Sequence, residues 1–343
     1  MRPRVDVAIA GGGPAGSALA ILLRRAGATV VVFERSEYDT ARIGETVPGR
    51  IVPLLAKLGV REAFDAENHA PAAATMSCWG SDEPFDRPSI FDPYGGGWHL
   101  DRRRFDAMLA RAAENAGAVV LRGTPSRAHD AGADLVVDAT GRPAALARAR
   151  GRRKIALDRL VGIVALGEGT LDGRTVIEAA RDGWWYSASL PGGRAVFAWM
   201  TDADLVSGDA WRAALESAPL TQQRAEAFEP RSMRMVSAAS HCLDAVCDDR
   251  WLAVGDAALA LDPLSGQGIC KALESSIAAA SAIVAGRLHE YARWHAEELR
   301  AYVLERVKHY GLEQRWPAAP FWNRRHQILV RRDGKTSPVA IHS

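Results

Sequence analysis

The chain carries almost no net charge. Its formal balance at neutral pH is +2 over 343 residues, so nothing in it calls for nucleic acid or an anionic membrane as a partner. The runs Arg102-Arg103-Arg104 and Arg152-Arg153-Lys154 read as helix or loop surface. No apolar stretch reaches the length that crosses a bilayer. The N-terminus enters an apolar strand within a few residues, and that strand leads into a glycine loop, as a secretory leader would not. Cysteine is sparse: Cys78, Cys242, Cys247 and Cys270 form no CxxC pair and have no histidine pair beside them. No metal site is expected, and reduced thiols in a cytoplasmic protein are. Lysine is absent between Lys57 and Lys154. What is present, 48% hydrophobic and 24% charged residues, is the composition of a globular protein large enough for two joined domains.

Val5 to Ala10 is a short apolar run that reads as a buried parallel strand. Gly11, Gly13 and Gly16 follow as G-x-G-x-x-G. The first permits a tight turn, the second lets the backbone approach a pyrophosphate, and the third lets the helix pack closely on the strand. Pro14 and Ala15 open that helix, whose positive end suits phosphate oxygens. Val30 to Phe33 form a second strand. Glu34 ends it, placed for a ribose 2′-hydroxyl, with Arg35 beside it. Strand, glycine loop, helix, strand and terminal acid in order predict a dinucleotide site.

Far downstream, "WLAVGDAALALDPLSGQGICKALES" pairs an apolar strand (Trp251–Val254) with Gly255-Asp256. A proline loop at Pro263 follows, then Gly266-Gln267-Gly268 opening a helix predicted to run from Leu264 to about Gly286. Glycines there allow close backbone approach. A helix N-terminus stabilises negative charge, and a buried acid needs strong hydrogen-bond donors. "ARIGETVPG", "WHLDRRRFDAMLARAAENAG" and "ADLVVDATGR" complete the set.

Taken together, these segments resemble FAD-dependent monooxygenases of the p-hydroxybenzoate hydroxylase fold, in the tryptophan-halogenase-like branch. The resemblance implies an α/β fold: a three-layer, Rossmann-type FAD-binding domain with a parallel sheet, an inserted antiparallel-sheet substrate domain, and C-terminal helices. It implies FAD, with Glu34 and Arg35 beside the glycine loop among its binding residues, Arg42, Gly44 and Glu45 near the flavin and its phosphates, and Arg102 reaching the cofactor. Asp256 would sit at the ribityl chain, and Pro263, Gly266 and Gly268 at the ring. The expected FAD-binding segments are 1–70, 100–160 and 236–290. The substrate domain is expected as 71–99 and 161–235, a helical segment as 291–330, and a disordered tail as 331–343. The family's β-meander after Val120 is replaced by "LRGTPSRAHDAG", too short for a strand pair.

Within the substrate domain "RLVGIVALGEG" and "RTVIEAA" predict strands, and "WWYSASLPGGRAVFAWMT" predicts a hairpin with a Pro-Gly-Gly turn. "DAWRAALESAPLTQQRAEAF" predicts a helix, as does "HEYARWHAEELRAYVLERVKHYGLEQRW". The stretch "RDGWWYSASLPGG" resembles the Gly-Trp-x-Trp-x-Ile-Pro signature of tryptophan halogenases. Gly183 and Trp184 match it, Tyr186 replaces the second Trp, and Leu190-Pro191 falls two residues late. Those halogenases also carry a substrate-domain lysine that guides hypohalous acid, and the corresponding "APAAATMSCWGSDEPFD" has none. Halogenation is therefore disfavoured. Strand alternation puts Trp184 and Tyr186 on one face and Trp185 and Ser187 on the other. Trp184, Tyr186 and Trp199 are the expected substrate contacts.

The segments "CWGSDEP", "GWHLDRRRFDAML", "GWWYSASLP" and "RWPAAPFWNRRH" carry a narrower resemblance, to flavoproteins that modify aromatic residues in quinone cofactor maturation. It implies hydroxylation of an aromatic ring, Trp- or Tyr-like, free or borne on a peptide, through a flavin C4a-hydroperoxide. O2 is the co-substrate, and electrons come from NAD(P)H or from a separate flavin reductase, since no second dinucleotide motif occurs. His99, Glu45 and His241 are the candidates for a catalytic acid or base. The alternatives are a flavin oxidase or dehydrogenase that releases H2O2, and a non-catalytic binding module on the same fold.

Overall fold

The structure, a computed structural model, describes residues 5–40, 42–88, 93–125 and 132–330, the last three by backbone alone. The expected tail and Ala41 lie outside the described residues. The chain forms two compact units. One takes Met1–Pro71, Asp92–Asp158 and Ala239–Leu299, and the other Ala72–Phe91, Arg159–Ala238 and Arg300–Ser343.

The first unit is built on a six-stranded sheet. Val7–Ala10 lies between Val30–Phe33 and Leu135–Asp138, parallel to both. Val119–Leu121 joins the outer side of Val30–Phe33, and Trp251–Ala253 the outer side of Leu135–Asp138, again parallel. Only the short edge pairing of Cys247–Asp248 is antiparallel. The runs VAIA, VVVF and LVVD are apolar on both faces, as a sheet covered on both sides requires. Helices Pro14–Arg25, Arg102–Asn115 and Gly268–Val284 supply Leu19, Phe105, Leu109 and Leu273 to the core on one face. The other face holds a smaller cluster of Ala8, Ala10, Val31 and Leu146.

Register aligns Ala10 with both Phe33 and Asp138, and Asp138 with Ala253. The carboxyl ends of four strands, and the loops that leave them, therefore gather at one end of the sheet, where such folds bind ligands. After Leu121 a turn follows and no described residue forms a second strand before Asp134. Residues 126–131 of the shortened segment lie outside the described residues.

The second unit is a seven-stranded sheet in the order Glu229–Ser237, Leu160–Glu168, Arg194–Asp202, Gly183–Leu190, Thr175–Ala180, Ala74–Cys78, Phe85–Pro88. It is antiparallel except where Ala74–Cys78 runs parallel to Thr175–Ala180. The predicted hairpin is present, turning at Pro191-Gly192-Gly193. The helix predicted over "DAWRAALESAPLTQQRAEAF" breaks in two, Ala210–Glu216 and Pro219–Ala225, because Pro219 cannot continue the hydrogen-bond ladder. The buried Glu178 carboxylate accepts the amides of Leu220 and Thr221 and the Thr221 hydroxyl, capping the second piece.

Three more boundaries differ from expectation. Gly97–His99 pairs with Thr46–Val47, so residues 92–99 belong with the parallel-sheet unit. Helix Leu288–Gly311 ends at its glycine, and residues 300–330 belong to the second unit rather than to a segment of their own. There Trp322 donates its indole N–H to Ala180 O, and Arg325 pairs with Asp202. Finally, Pro263–Ser265 is a single 3-10 turn, and the helix after it begins at Gly268. No helix among the described residues is long and apolar enough to cross a membrane, and they hold no cluster suited to a metal ion.

Candidate cofactor site

Close approach explains the first glycines. Gly11 sits at φ +106, and a Cβ there would stand 2.2 Å from Ala139 O. A Cβ on Gly16 would stand 1.9 Å from Gly11 O. At Gly13 the missing Cβ faces only the Arg42 guanidinium, 3.7 Å away. Gly13 caps the helix, Pro14 occupies its first turn, no side chain caps that end and no acid lies in it. The loop thus offers uncapped amides beside a cation, which is a cradle for phosphate.

Glu34 holds this loop from behind. Its carboxylate accepts the Gly12 amide at 2.7 Å, the Ser36 amide at 2.9 Å and hydroxyl at 2.6 Å, and Arg42 at 3.0 Å. Burial pushes the carboxyl up, but these hydrogen bonds outweigh it and hold it below its ordinary value. Oε1 takes three of these bonds and Oε2 only the Gly12 amide, so Oε2 keeps an acceptor site. In this arrangement Glu34 anchors the glycine loop, whereas the sequence pointed to a ribose ligand. Tyr38, at φ 62, closes the loop from the same side by donating to Gly12 O at 2.9 Å. Arg35 is exposed.

Arg42 also pairs with Asp106 at 3.3 Å. Arg102 reaches Asp106 at 3.1 and 3.2 Å and the carbonyls of Ile43 and Gly44 at 2.8 and 3.1 Å. One of its five N–H groups remains for a ligand. Asp106 binds both arginines and was missed from sequence, although its i, i+4 spacing from Arg102 was there to read.

Asp256 lies in the 3-10 turn Gly255–Ala257, one step beyond the strand end on which it was expected. Its side chain is half-buried, and burial raises its carboxyl above the ordinary range against Arg142 and Arg102. Arg142 Nε stands 3.5 Å from it. An acid so placed suits neutral hydroxyl donors such as those of a ribityl chain. Pro263 opens the following turn. Gly266 ends it at φ +58, and nothing lies within 4 Å of a Cβ built on Gly268. Arg50 steadies this corner through Gln267 and Glu274. The cradle, the acid and the open glycine corner fit FAD.

The three catalytic candidates are all buried. His99 is buried, with Nδ1 2.9 Å from Thr46 Oγ1. Glu45 is buried and accepts the Gly44 amide at 2.9 Å. His241 is buried too, and its Nε2 has no hydrogen-bond partner among the described residues. Burial, with Lys154 and Arg142 beside it, pushes its pKa down to about 4, so the ring is neutral and weakly basic at pH 7.

The three aromatic candidates divide between the faces of the second unit's sheet. Trp184 is fully buried and donates its indole N–H to Tyr310 Oη at 3.1 Å, with Trp79 at its edge. Trp199 pairs with Trp185 across the hairpin and stacks on it beneath the Ala210–Glu216 helix, on the opposite face from Trp184. Tyr186 is half-buried on the Trp184 face. Of the expected substrate contacts, Trp184 and Tyr186 thus share a face and Trp199 lies on the other.

Residues 4–146 match the FAD binding domain family. The chain is 30% identical, over 357 aligned positions, to a protein of Marinomonas mediterranea described as the FAD-dependent oxidoreductase LodB, across 94% of this chain and 96% of that one. Among solved structures it is similar to QhpG, a peptidyl tryptophan dihydroxylase essential for tryptophylquinone cofactor biogenesis. Identity there is 25% and the TM-score 0.76, covering 99% of this chain and 81% of that one. The myxobacterial chondrochloren halogenase CndH shares the fold at a TM-score of 0.82 and 21% identity, over 94% of this chain and 86% of that one. The chain belongs to the FAD-dependent oxidoreductases.

Proposed function

We propose that this protein is a monooxygenase that hydroxylates an aromatic ring, tryptophan- or tyrosine-like, presented by a polypeptide or as a small molecule. The observation that carries the reading is the likeness along 99% of the chain to a peptidyl tryptophan dihydroxylase. Support comes from lysine: in the described residues of the second unit the only one is Lys308, exposed on helix Leu288–Gly311. The amine on which tryptophan halogenases rely thus has no buried counterpart there. Bound FAD would supply the activation of O2. Overall, the ring C–H, O2 and two electrons with two protons give the phenolic C–OH and water. The electrons come from a nicotinamide nucleotide, directly or through a separate flavin reductase.

In this reading the Gly11–Gly16 loop and Arg42 hold the pyrophosphate, and Asp256 holds the ribityl chain. The turn at Gly266–Gly268 lets backbone approach the ring without a Cβ in the way. The positive end of the Gly268–Val284 helix favours the reduced, anionic form. Tyr186, the one half-buried aromatic of the three, is the residue assigned to the substrate.

The test is turnover under 18O2 with reduced flavin and a set of tryptophan- and tyrosine-bearing peptides alongside the free amino acids. One labelled oxygen per hydroxyl is expected in the product. Oxidised product without label, or a halogenated ring when halide is present, overturns the reading.

A further inference from the structure

Two adjacent serines on one helix connect the two halves of the cofactor site. The Gly255 amide donates to Ser275 Oγ at 3.0 Å, Ser275 Oγ lies 2.9 Å from Tyr291 Oη, and the Tyr291 hydroxyl donates to Ala253 O at 2.7 Å. A carbonyl only accepts, so the Tyr291 hydrogen goes to Ala253 and the Ser275 hydrogen goes to Tyr291. The chain of bonds runs one way, from the amide of Gly255 to the carbonyl of Ala253. It spans Val254, where strand Trp251–Ala253 gives way to the turn that carries Asp256.

That turn rests on the glycine-loop helix. Gly255 sits at φ +59, and a Cβ on it would stand 2.8 Å from the Ala15 Cβ. The next serine, Ser276, places its hydroxyl 2.8 Å from Ala15 O and from Ala272 O. Ser275, Ser276 and Tyr291 are all buried. On an alanine-rich helix face, alanine would fill these serine positions without desolvating a hydroxyl. A second residue of the Leu288–Gly311 helix, His295, lies with Nε2 3.4 Å from Ala258 O, one turn beyond Tyr291.

We propose that Ser275 and Tyr291 are positioning residues for FAD: they set the direction of the Asp256 carboxylate, while Ser276 sets its distance from the phosphate-binding end of helix Pro14–Arg25. The two motifs, far apart in sequence, are brought to cofactor spacing by polar groups that do not touch the cofactor. This inference rests on Asp256 and the glycine loop being the FAD site.

The test uses the full chain reconstituted with FAD. Flavin fluorescence quenching gives the dissociation constant, visible circular dichroism reports the flavin's setting, and melting curves are taken with and without FAD. Tyr291→Phe keeps the ring against Trp294 and is expected to weaken FAD about tenfold and change the flavin dichroism. Ser275→Ala is expected to do the same, and the double variant to do no more than either alone, since one chain of bonds is broken in each case. Single variants that bind FAD as wild type with unchanged dichroism, even if they melt earlier, overturn the proposal and leave a purely structural role. Asp256→Ala is the control: if it binds FAD as tightly as wild type, the underlying site reading fails, and the proposal with it, by a separate result.

Discussion

Arg142 holds its guanidinium 3.5 Å from the Asp256 carboxylate while donating to the backbone carbonyls of Ala239 and Leu261. The cation is tethered to backbone on two sides, so it cannot follow the acid. Asp256 is left with a distant ion pair and a carboxyl raised by burial. Its charged form costs stability, because the folded chain keeps a proton that the unfolded chain has already released. The cost is absent below the ordinary carboxylate range and grows as pH rises through the raised value. Asp256→Asn is therefore expected to melt higher than wild type near pH 7 without FAD, with the gain shrinking as pH is lowered, and to bind FAD more weakly. Melting curves across pH and a flavin titration check both halves.

Glu34 behaves in the opposite sense. Its carboxyl is held below its ordinary value, so its contribution is full at neutral pH and is lost as pH falls through the folded value. Glu34→Ala leaves the buried Gly12 amide without its partner and takes one of two acids from Arg42, and a loss of about 2–4 kcal/mol is expected in urea unfolding at pH 7. The difference from wild type should narrow in acid.

His241 gives a second pH signature. Its folded pKa of about 4 lies below the model-peptide value of 6.5, so the unfolded chain takes up the proton first. Stability is expected to fall as pH drops from about 6.5 to 4, by about 3 kcal/mol from this residue. His241→Asn should flatten that limb of the stability–pH curve. Its turnover should show no activity limb near pH 6.5 to lose.

Two glycines separate folding from binding. Gly16→Ala drives a Cβ toward the backbone oxygen of Gly11. It is expected to cost about 2 kcal/mol or more, against the gain of under about 1 kcal/mol that alanine brings in an open helix. Gly268→Ala meets nothing within 4 Å. It should leave unfolding unchanged or slightly improved while weakening FAD, measured by chemical denaturation and flavin titration on the same samples.

In the second unit, Arg325 and Arg324 both reach Asp202, but only Arg325 is buried with it. Arg325→Ala is expected to cost about 3 kcal/mol, since it leaves the buried acid only its half-exposed partner Arg324, and Arg324→Ala under about 1 kcal/mol. Equal losses would contradict the difference in burial.

The legible parts of this chain were those with a short-range cause. The glycine loop, the parallel strands and the Pro-Gly-Gly hairpin follow from steric need and from period, and each appears where the sequence places it. The part of Glu34 as anchor of the glycine loop was not legible, because nothing in the local sequence tells that Ser36 and Arg42 fold back onto it. The face of Trp199 was not legible, because alternation gives faces within one strand, while the face of its hairpin partner depends on register across the turn. Tyr38 lies in no motif, and Arg142 and Ser275 end motif segments without a part assigned to them. Their roles arise from contacts up to 119 residues away in sequence, which only packing reveals.

The order of strands in the parallel sheet has a consequence for how the protein is made. Trp251–Ala253 is the last of its parallel strands in the chain, and the Asp256 turn comes directly after it. A growing polypeptide exposes a finished glycine loop long before its counterpart leaves the ribosome. Until then the carboxyl edge of Leu135–Asp138 has no neighbour on that side. On the proposed reading of the site, flavin capture is expected late in biosynthesis, once that last strand has docked.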